Sequence, residues 1–233
     1  MNNYIGIDIS INSTAIYIES DKGSKILSIN NKKDNNIYIK ELDRHGVDFI
    51  HTSMNKSKIY SDNEILKLKH FDKVAISILD FCKKNINIKN DTYCQIEGYS
   101  FSKNTSSILD IVSLSTLIRS YLLKNIKNIN ISIISPSSLK LAACKISYDP
   151  IDVGVKKPKL IYKNKDGIAG GSFKKPDMYK AILDSKIDVF IKDFLIEYKY
   201  LTERKKIPNP IEDIIDAIFA CKTKIYEIEN VIR

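Results

Sequence analysis

Hydrophobic and polar positions alternate along residues 4–10, YIGIDIS, and again along 13–20, STAIYIES, and 24–30, SKILSIN. A period of two is that of a half-buried β-strand. The links between these runs are short, DKG among them, so the pattern predicts an antiparallel meander of three strands. The period then changes. Between 61 and 84, Ile65, Leu68, Phe71, Ala75, Ile78, Leu79 and Cys82 form one helical stripe, and Ser61 and Glu64 have the S-x-x-E spacing of a capping box. TYCQIEG, 92–98, reads as a fourth strand. The run 105–124 reads as a helix with Ile108, Ile111, Val112, Ser115, Ile118 and Leu122 inward. NISIIS, 130–135, reads as a strand, and PSSLKLAAC, 136–144, as a short helix with proline in its first turn. A long helix is expected over 175–195, and a last one from about Pro210, capped by Asn209. Residues 31–60 and 145–174 have little periodicity and read as loops or small excursions. This order of elements predicts one α/β domain over 1–233, built on a mixed sheet.

Two acids interrupt the strand patterns. Asp8 lies within the first strand, on the face of Tyr4 and Gly6 and opposite Ile5, Ile7 and Ile9. Glu97 ends the fourth, on the face of Tyr93 and Gln95. An acid inside a strand is disfavoured and needs a reason. The last helix, NPIEDIIDAIFACK, carries two more. At 100° per residue Ile211, Ile214, Ile215, Ile218 and Ile225 fall on one side and Asp213 and Asp216 on the other. Ala217 and Ala220 flank the aspartates where a solvated face would carry lysine or glutamate, which points to close approach by another element. Carboxylates held against protein need cations, and one metal site serves several of them at once. Taken singly, each acid also fits an edge, a turn or a solvated helix face; the four together favour the metal.

Composition adds direction. The chain has 37 Lys and Arg against 28 Asp and Glu, a net charge of +9, which suits a polyanionic partner. The abundance of Lys, Ile and Asn also fits an AT-rich coding sequence, so charge alone decides little. Segment 139–175 concentrates the excess, with nine lysines against three acids. Either it is a solvated lysine loop or it contacts phosphates, which positions a duplex without reading its bases. The four cysteines, Cys82, Cys94, Cys144 and Cys221, form no C-x-x-C pair, and buried thiols in an intracellular, reducing compartment are the expectation. The N-terminal apolar run is too short for a signal peptide, and nothing approaches the 18 or so apolar residues of a membrane span.

With these residues in view, the chain resembles the RuvC-like Holliday junction resolvases of the RNase H-like superfamily, more closely the phage and viral members than the bacterial housekeeping enzyme. The resemblance runs through most of the chain. GIDISINSTAI is similar to the family's first-strand motif and carries Asp8; QIEGYSF is similar to the fourth-strand motif and carries Glu97. ISPSSLKLAACK resembles the strand-to-helix segment, FKKPDMYKAIL places Lys175 at the family lysine, and IEDIIDAIFA resembles the closing motif with Asp213 and Asp216. Segments 31–60 and 146–173 depart from the family in length.

The resemblance implies an RNase H-like mixed five-stranded sheet flanked by helices, with the first and fourth strands adjacent. It implies a metal-dependent endonuclease acting on branched DNA, the four-way junction first, as a homodimer with the helix at 105–124 as candidate dimer face. Asp8, Glu97, Asp213 and Asp216 would hold two Mg²⁺, with Mn²⁺ able to substitute, about 4 Å apart for phosphodiester hydrolysis. Asp8 would bridge; Asp216 is expected to do more than Asp213, since a small helix rotation favours one of them. Lys175 would contact the scissile phosphate or orient the water. Tyr99 or Phe101 would stack on opened bases, or belong to the core. Ser137 and Ser138 would bind a phosphate, or simply cap their helix. Lys140, Lys156, Lys157, Lys174 and Lys175 complete the expected DNA contacts. Two rivals keep the same residues in play: another nuclease of this fold cutting forks or flaps, or acting in a terminase, and an actin-like ATP-binding protein, whose first phosphate loop GIDISINSTAI also resembles.

Overall fold

The computed structural model describes residues 1–31, 37–55, 57–99, 105–154, 159–204 and 206–231. Strands β1 (Asn3–Asp8), β2 (Ser13–Ser20) and β3 (Gly23–Asn30) form the antiparallel meander. The helix α1 (Ile37–Arg44) leads to β4 (Asp48–His51), which pairs parallel to β3. After α2 (Tyr60–Asn85), β5 (Thr92–Glu97) returns parallel to β1; after α3 (Thr105–Asn125), β6 (Ile129–Ile134) pairs parallel to β5. The sheet order is β4-β3-β2-β1-β5-β6. The expected five-stranded sheet therefore has a sixth strand, built from the segment read as a loop. Its signal is small: α1 is anchored by only two buried residues, Ile39 and Leu42, and β4 is four residues at the sheet edge.

Alternation sorts the sheet into two cores. Ile5, Ile7, Ile9, Ile16 and Ile18 meet α2 and α3 on one face. Tyr4, Ala15 and Tyr17 meet the other layer, made of α4 (Pro136–Ser147), α5 (Lys175–Asp184), α6 (Lys192–Glu197) and α7 (Ile211–Val231). Between α4 and α5 lies a two-stranded ribbon, β7 (Pro150–Asp152) with β8 (Leu160–Tyr162), inside the segment read as a loop. The helix α7 is buried on both sides: Ile211, Ile214, Ile215 and Ile218 are covered, and so are Ala217, Ala220 and Cys221. Gly6 explains the closeness. A Cβ there would lie 2.0 Å from the Ala217 carbonyl oxygen and 2.4 Å from the Cys221 nitrogen, so only glycine lets the α7 backbone rest on β1.

Two helices differ from the sequence reading. The helix α2 starts at Tyr60, so Ser61 is already inside it and cannot cap; Ile59 is the N-cap, and Glu64 pairs with Lys67 at 2.9 Å. Asn63 instead ties the start of the helix to the Ser57 backbone, accepting from its N–H at 2.6 Å and donating to its carbonyl at 2.5 Å. The stripe of α2 becomes core only from Phe71; Ile65 and Leu68 are more than half exposed. The long helix expected over 175–195 breaks at Ser185, whose hydroxyl donates to the Ile182 carbonyl and accepts from the Ile187 N–H. Lys192 Nζ donates to the freed carbonyls of Ser185 and Ile187, and the turned chain buries Val189, Ile191, Phe194 and Leu195. The four thiols are free and buried. Among the described residues no helix is long and apolar enough to cross a membrane.

Candidate metal centre

The strands β1 and β5 are parallel neighbours in the register Ile7 to Ile96, so Asp8 and Glu97 emerge side by side at their C-terminal ends. The exit of β1 is fixed by a small turn: the Ser10 hydroxyl donates to the Ser13 carbonyl at 2.6 Å, and the Thr14 hydroxyl donates to the Ser10 carbonyl at 3.0 Å. The first turns of α7 cross the same end and bring Asp213 and Asp216, both buried at 6% and 1% exposure. The N-terminus of α5 closes the site from the other side. Buried Asp177 accepts from the Lys174 N–H at 2.8 Å, and Asn164 Nδ2 donates to Asp177 at 3.4 Å. These bonds hold the start of α5 so that Lys175 reaches in.

One oxygen each from Asp8, Glu97 and Asp216 lies within 4.8 Å of the other two. Lys175 Nζ ion-pairs with Asp216 and stands 3.4 Å from Glu212. Asp213 lines the same cleft, of about 360 Å³, with Asp8, Glu97, Tyr99, Lys140 and Lys175. Its Oδ2 is buried and has no hydrogen-bond partner among the described residues, and the same is true of the nearby Ser13 hydroxyl oxygen. Burial drives the protonation of the group. It pushes the Asp8 carboxyl well above its ordinary value, with the charges of Glu97, Asp216 and Asp213 adding to the effect and Lys175 opposing it. Burial, then Glu97, raises Asp216 to about 7 against the pull of Lys175. Burial raises Asp213 to about 6, partly offset by Ser13. Burial works against the charge on Lys175, yet Asp216 and Glu97 hold it above its ordinary value.

Among the described residues, Lys175 is the lysine that ion-pairs with these carboxylates, in a partly closed space. The donors are all oxygen, and an acceptor oxygen is left without a donor. That set suits a hard divalent cation such as Mg²⁺ or Mn²⁺ and lacks the nitrogen or sulfur that zinc prefers. The residues fit the group.

Of the expected site residues, Asp8, Glu97, Asp213, Asp216 and Lys175 come together here, and Tyr99 and Lys140 line the cleft. The Tyr99 hydroxyl is buried and unpartnered among the described residues. Ser137 and Ser138 sit in the cap of α4: Ser135 is the N-cap, its hydroxyl oxygen accepting from the Ser138 N–H at 3.1 Å and lying 2.8 Å and 3.1 Å from the Ser138 and Ser137 hydroxyls. Lys174 lines a different cleft, of about 630 Å³, with Lys180 and Arg204. Phe101, Lys156 and Lys157 lie outside the described residues. Glu212 was missed by the sequence reading. Its spacing, four residues before Asp216 and so on the same helix face, was the available signal.

No family model and no curated protein matches the chain. Among solved structures, Thermus thermophilus RuvC in complex with a Holliday junction substrate matches at a TM-score of 0.50 and 8% identity, over 99% of this chain and 96% of that one. A second Thermus thermophilus RuvC structure matches at 0.49 and 9%, over 98% and 96%. The yeast mitochondrial Holliday junction resolvase Ydc2 matches at 0.44 and 11%, over 97% and 81%. Identities this low speak to fold and not to phage or viral kinship. On the first of these matches, and on a central mixed sheet with helices on both faces, the chain has the RuvC-like α/β fold of the RNase H-like type.

Proposed function

We propose that the protein is a divalent-metal-dependent DNA endonuclease that resolves four-way junctions by paired phosphodiester hydrolysis. The observation that carries this reading is the convergence of Asp8, Glu97 and Asp216 oxygens within 4.8 Å, beside Lys175, at a cleft that Asp8, Glu97 and Lys175 line. Asp8, Glu97 and Asp216, with Asp213 alongside, would hold Mg²⁺ or Mn²⁺, two ions in all; bound there, such ions supply an activated water and charge stabilisation for the leaving oxygen. Lys175 neutralises the site and offers an ammonium to the scissile phosphate. Lys140, on the same cleft wall, contributes a second phosphate contact, and the remaining lysine excess of 139–175 favours a polyanionic partner. Tyr99 presents an aromatic at the cleft for an unpaired base.

Two symmetric nicks require two sites, so the active species is a homodimer. Leu109 of α3 and Ile76 of α2 are apolar and exposed on the outer helical layer and would contribute to the pairing face. Sedimentation of the protein with and without junction tests this, and a monomer under both conditions refutes it. For the activity, the decisive assay compares Mg²⁺-dependent cleavage of four-way junctions, forks, flaps and linear duplex by the wild type and Asp8→Asn. Preferred, paired cleavage of junctions that Asp8→Asn abolishes supports the proposal. Preferred cleavage of forks or flaps assigns the same residues to another branched substrate, and cleavage unaffected by Asp8→Asn overturns the site.

A further inference from the structure

Lys175 stands where a cation is needed, and this has a consequence for loading the site. Its ammonium is paired with Asp216, one of the three convergent carboxylates. A divalent ion seated on Asp8, Glu97 and Asp216 competes with that ammonium for the same oxygens. The Lys175 side chain is only 30% exposed and the Asp216 side chain 2% exposed, so an ammonium displaced from Asp216 without another partner would be a partly desolvated, unpaired charge. Glu212 offers the partner. Its carboxylate is already 3.4 Å from Lys175 Nζ, its side chain is 18% exposed, and it faces the same cleft. It lies one helical turn before Asp216, outside the trio of convergent oxygens.

From this geometry we infer that Glu212 is a positioning residue, the alternate seat of Lys175. The lysine passes from Asp216 to Glu212 as the cation loads, which frees Asp216 and leaves the ammonium at the cleft for a phosphate. The inference rests on the metal-dependent reading of this site. It gives Glu212 no contact with the cation and no direct part in the chemistry; all of its effect runs through Lys175.

A double-mutant cycle on Mn²⁺ affinity, read by electron paramagnetic resonance on the DNA-free protein, tests it. Glu212→Gln is expected to weaken Mn²⁺ binding by about tenfold, the scale of residues that orient a metal site from outside it. Lys175→Gln, which removes the competitor, is expected to tighten it. In the Lys175→Gln background, adding Glu212→Gln is expected to leave the affinity within about twofold, because the residue then has nothing to seat. A loss of the same size in both backgrounds overturns the inference, since a ligand or a general field effect behaves that way. Unchanged affinity in the single Glu212→Gln variant also overturns it. Circular dichroism of each variant separates a folding defect from either outcome. The nuclease reading fails differently: the wild type would bind Mn²⁺ and show this coupling, yet leave junction DNA uncut.

Discussion

Replacing Asp213 by asparagine is expected to stabilise the metal-free protein at neutral pH while impairing cleavage. Burial raises this carboxyl from 3.8 to about 6. Ionising it therefore costs more in the folded chain than in the unfolded one, and the difference is about 3 kcal/mol at 1.36 kcal/mol per pH unit. The sign follows from proton counting. Below about pH 4 both states keep the proton and Asp213 contributes no difference. Between about pH 4 and pH 6 the folded state holds a proton that the unfolded state releases, so stability falls as pH rises. Above about pH 6 the deficit is constant. Asparagine keeps the shape of the side chain and removes the charge that burial disfavours. For a chain of 233 residues, at about 2–4 °C per kcal/mol, the melting temperature of Asp213→Asn in EDTA should exceed the wild type by about 6–12 °C near pH 8. The gain should vanish near pH 4, apart from a small constant offset. Differential scanning fluorimetry across that range gives the curve directly. Excess Mg²⁺ should narrow the gap at high pH by stabilising the wild type more than the variant. A variant less stable than wild type at pH 8, or a gain independent of pH, would refute the claim that a buried carboxylate at 213 opposes folding.

Other perturbations separate the fold from the site. Gly6→Ala forces a Cβ into the α7 backbone at Ala217 and Cys221; urea unfolding should show a loss of about 3 kcal/mol or more, and Mn²⁺ affinity should fall because Asp8 is pushed away from Asp216. Lys140→Gln should weaken junction binding evenly across sequences and lower the slope of log affinity against log salt by about one, measured by fluorescence anisotropy. Glu19→Gln breaks the 2.5 Å pair with Lys222, whose side chains are 20% and 16% exposed; it should cost about 1–3 kcal/mol in denaturant melts without changing cleavage.

The parts of the fold that were legible in the sequence are those in which one residue's surroundings are set by its immediate neighbours along the chain. Strand alternation put Asp8 on the face of Tyr4 and Gly6, and that face is the one α7 covers. The helical period put Asp213 and Asp216 away from the isoleucines, and the small residues between them marked an approaching element, which is β1. What escaped depends on partners far along the chain. The strand β4 has four residues and takes its meaning from an open edge of β3. The stop at Ser185 has no proline or glycine to announce it; it is held by Lys192 from the next turn of chain. Glu212 takes its meaning from Lys175, which α5 brings within 3.4 Å of it.

The closeness that assembles this site also explains its charge state. The α7 backbone can settle on β1 only because Gly6 has no side chain, and that contact carries Asp213 and Asp216 to the strand ends where Asp8 and Glu97 already stand. The contact excludes water, so the carboxylates that it gathers resist ionising together. A longer approach would relieve them and scatter the oxygens. A single lysine cannot balance the set, since its ammonium pairs with Asp216 and Glu212 while the Asp213 Oδ2 goes without a donor among the described residues. The metal-free fold thus carries an electrostatic cost set by its own packing. A divalent ion would remove most of that cost at once, which ties the affinity of the site for its cation to the tightness of the β1–α7 contact. Mutations that loosen this contact, even far from the cleft along α7, should therefore weaken cation binding and flatten the fall of metal-free stability between about pH 4 and pH 8, while lowering stability at every pH through lost packing, whereas mutations that only trim a ligand should weaken cation binding with a stability change specific to that one carboxylate.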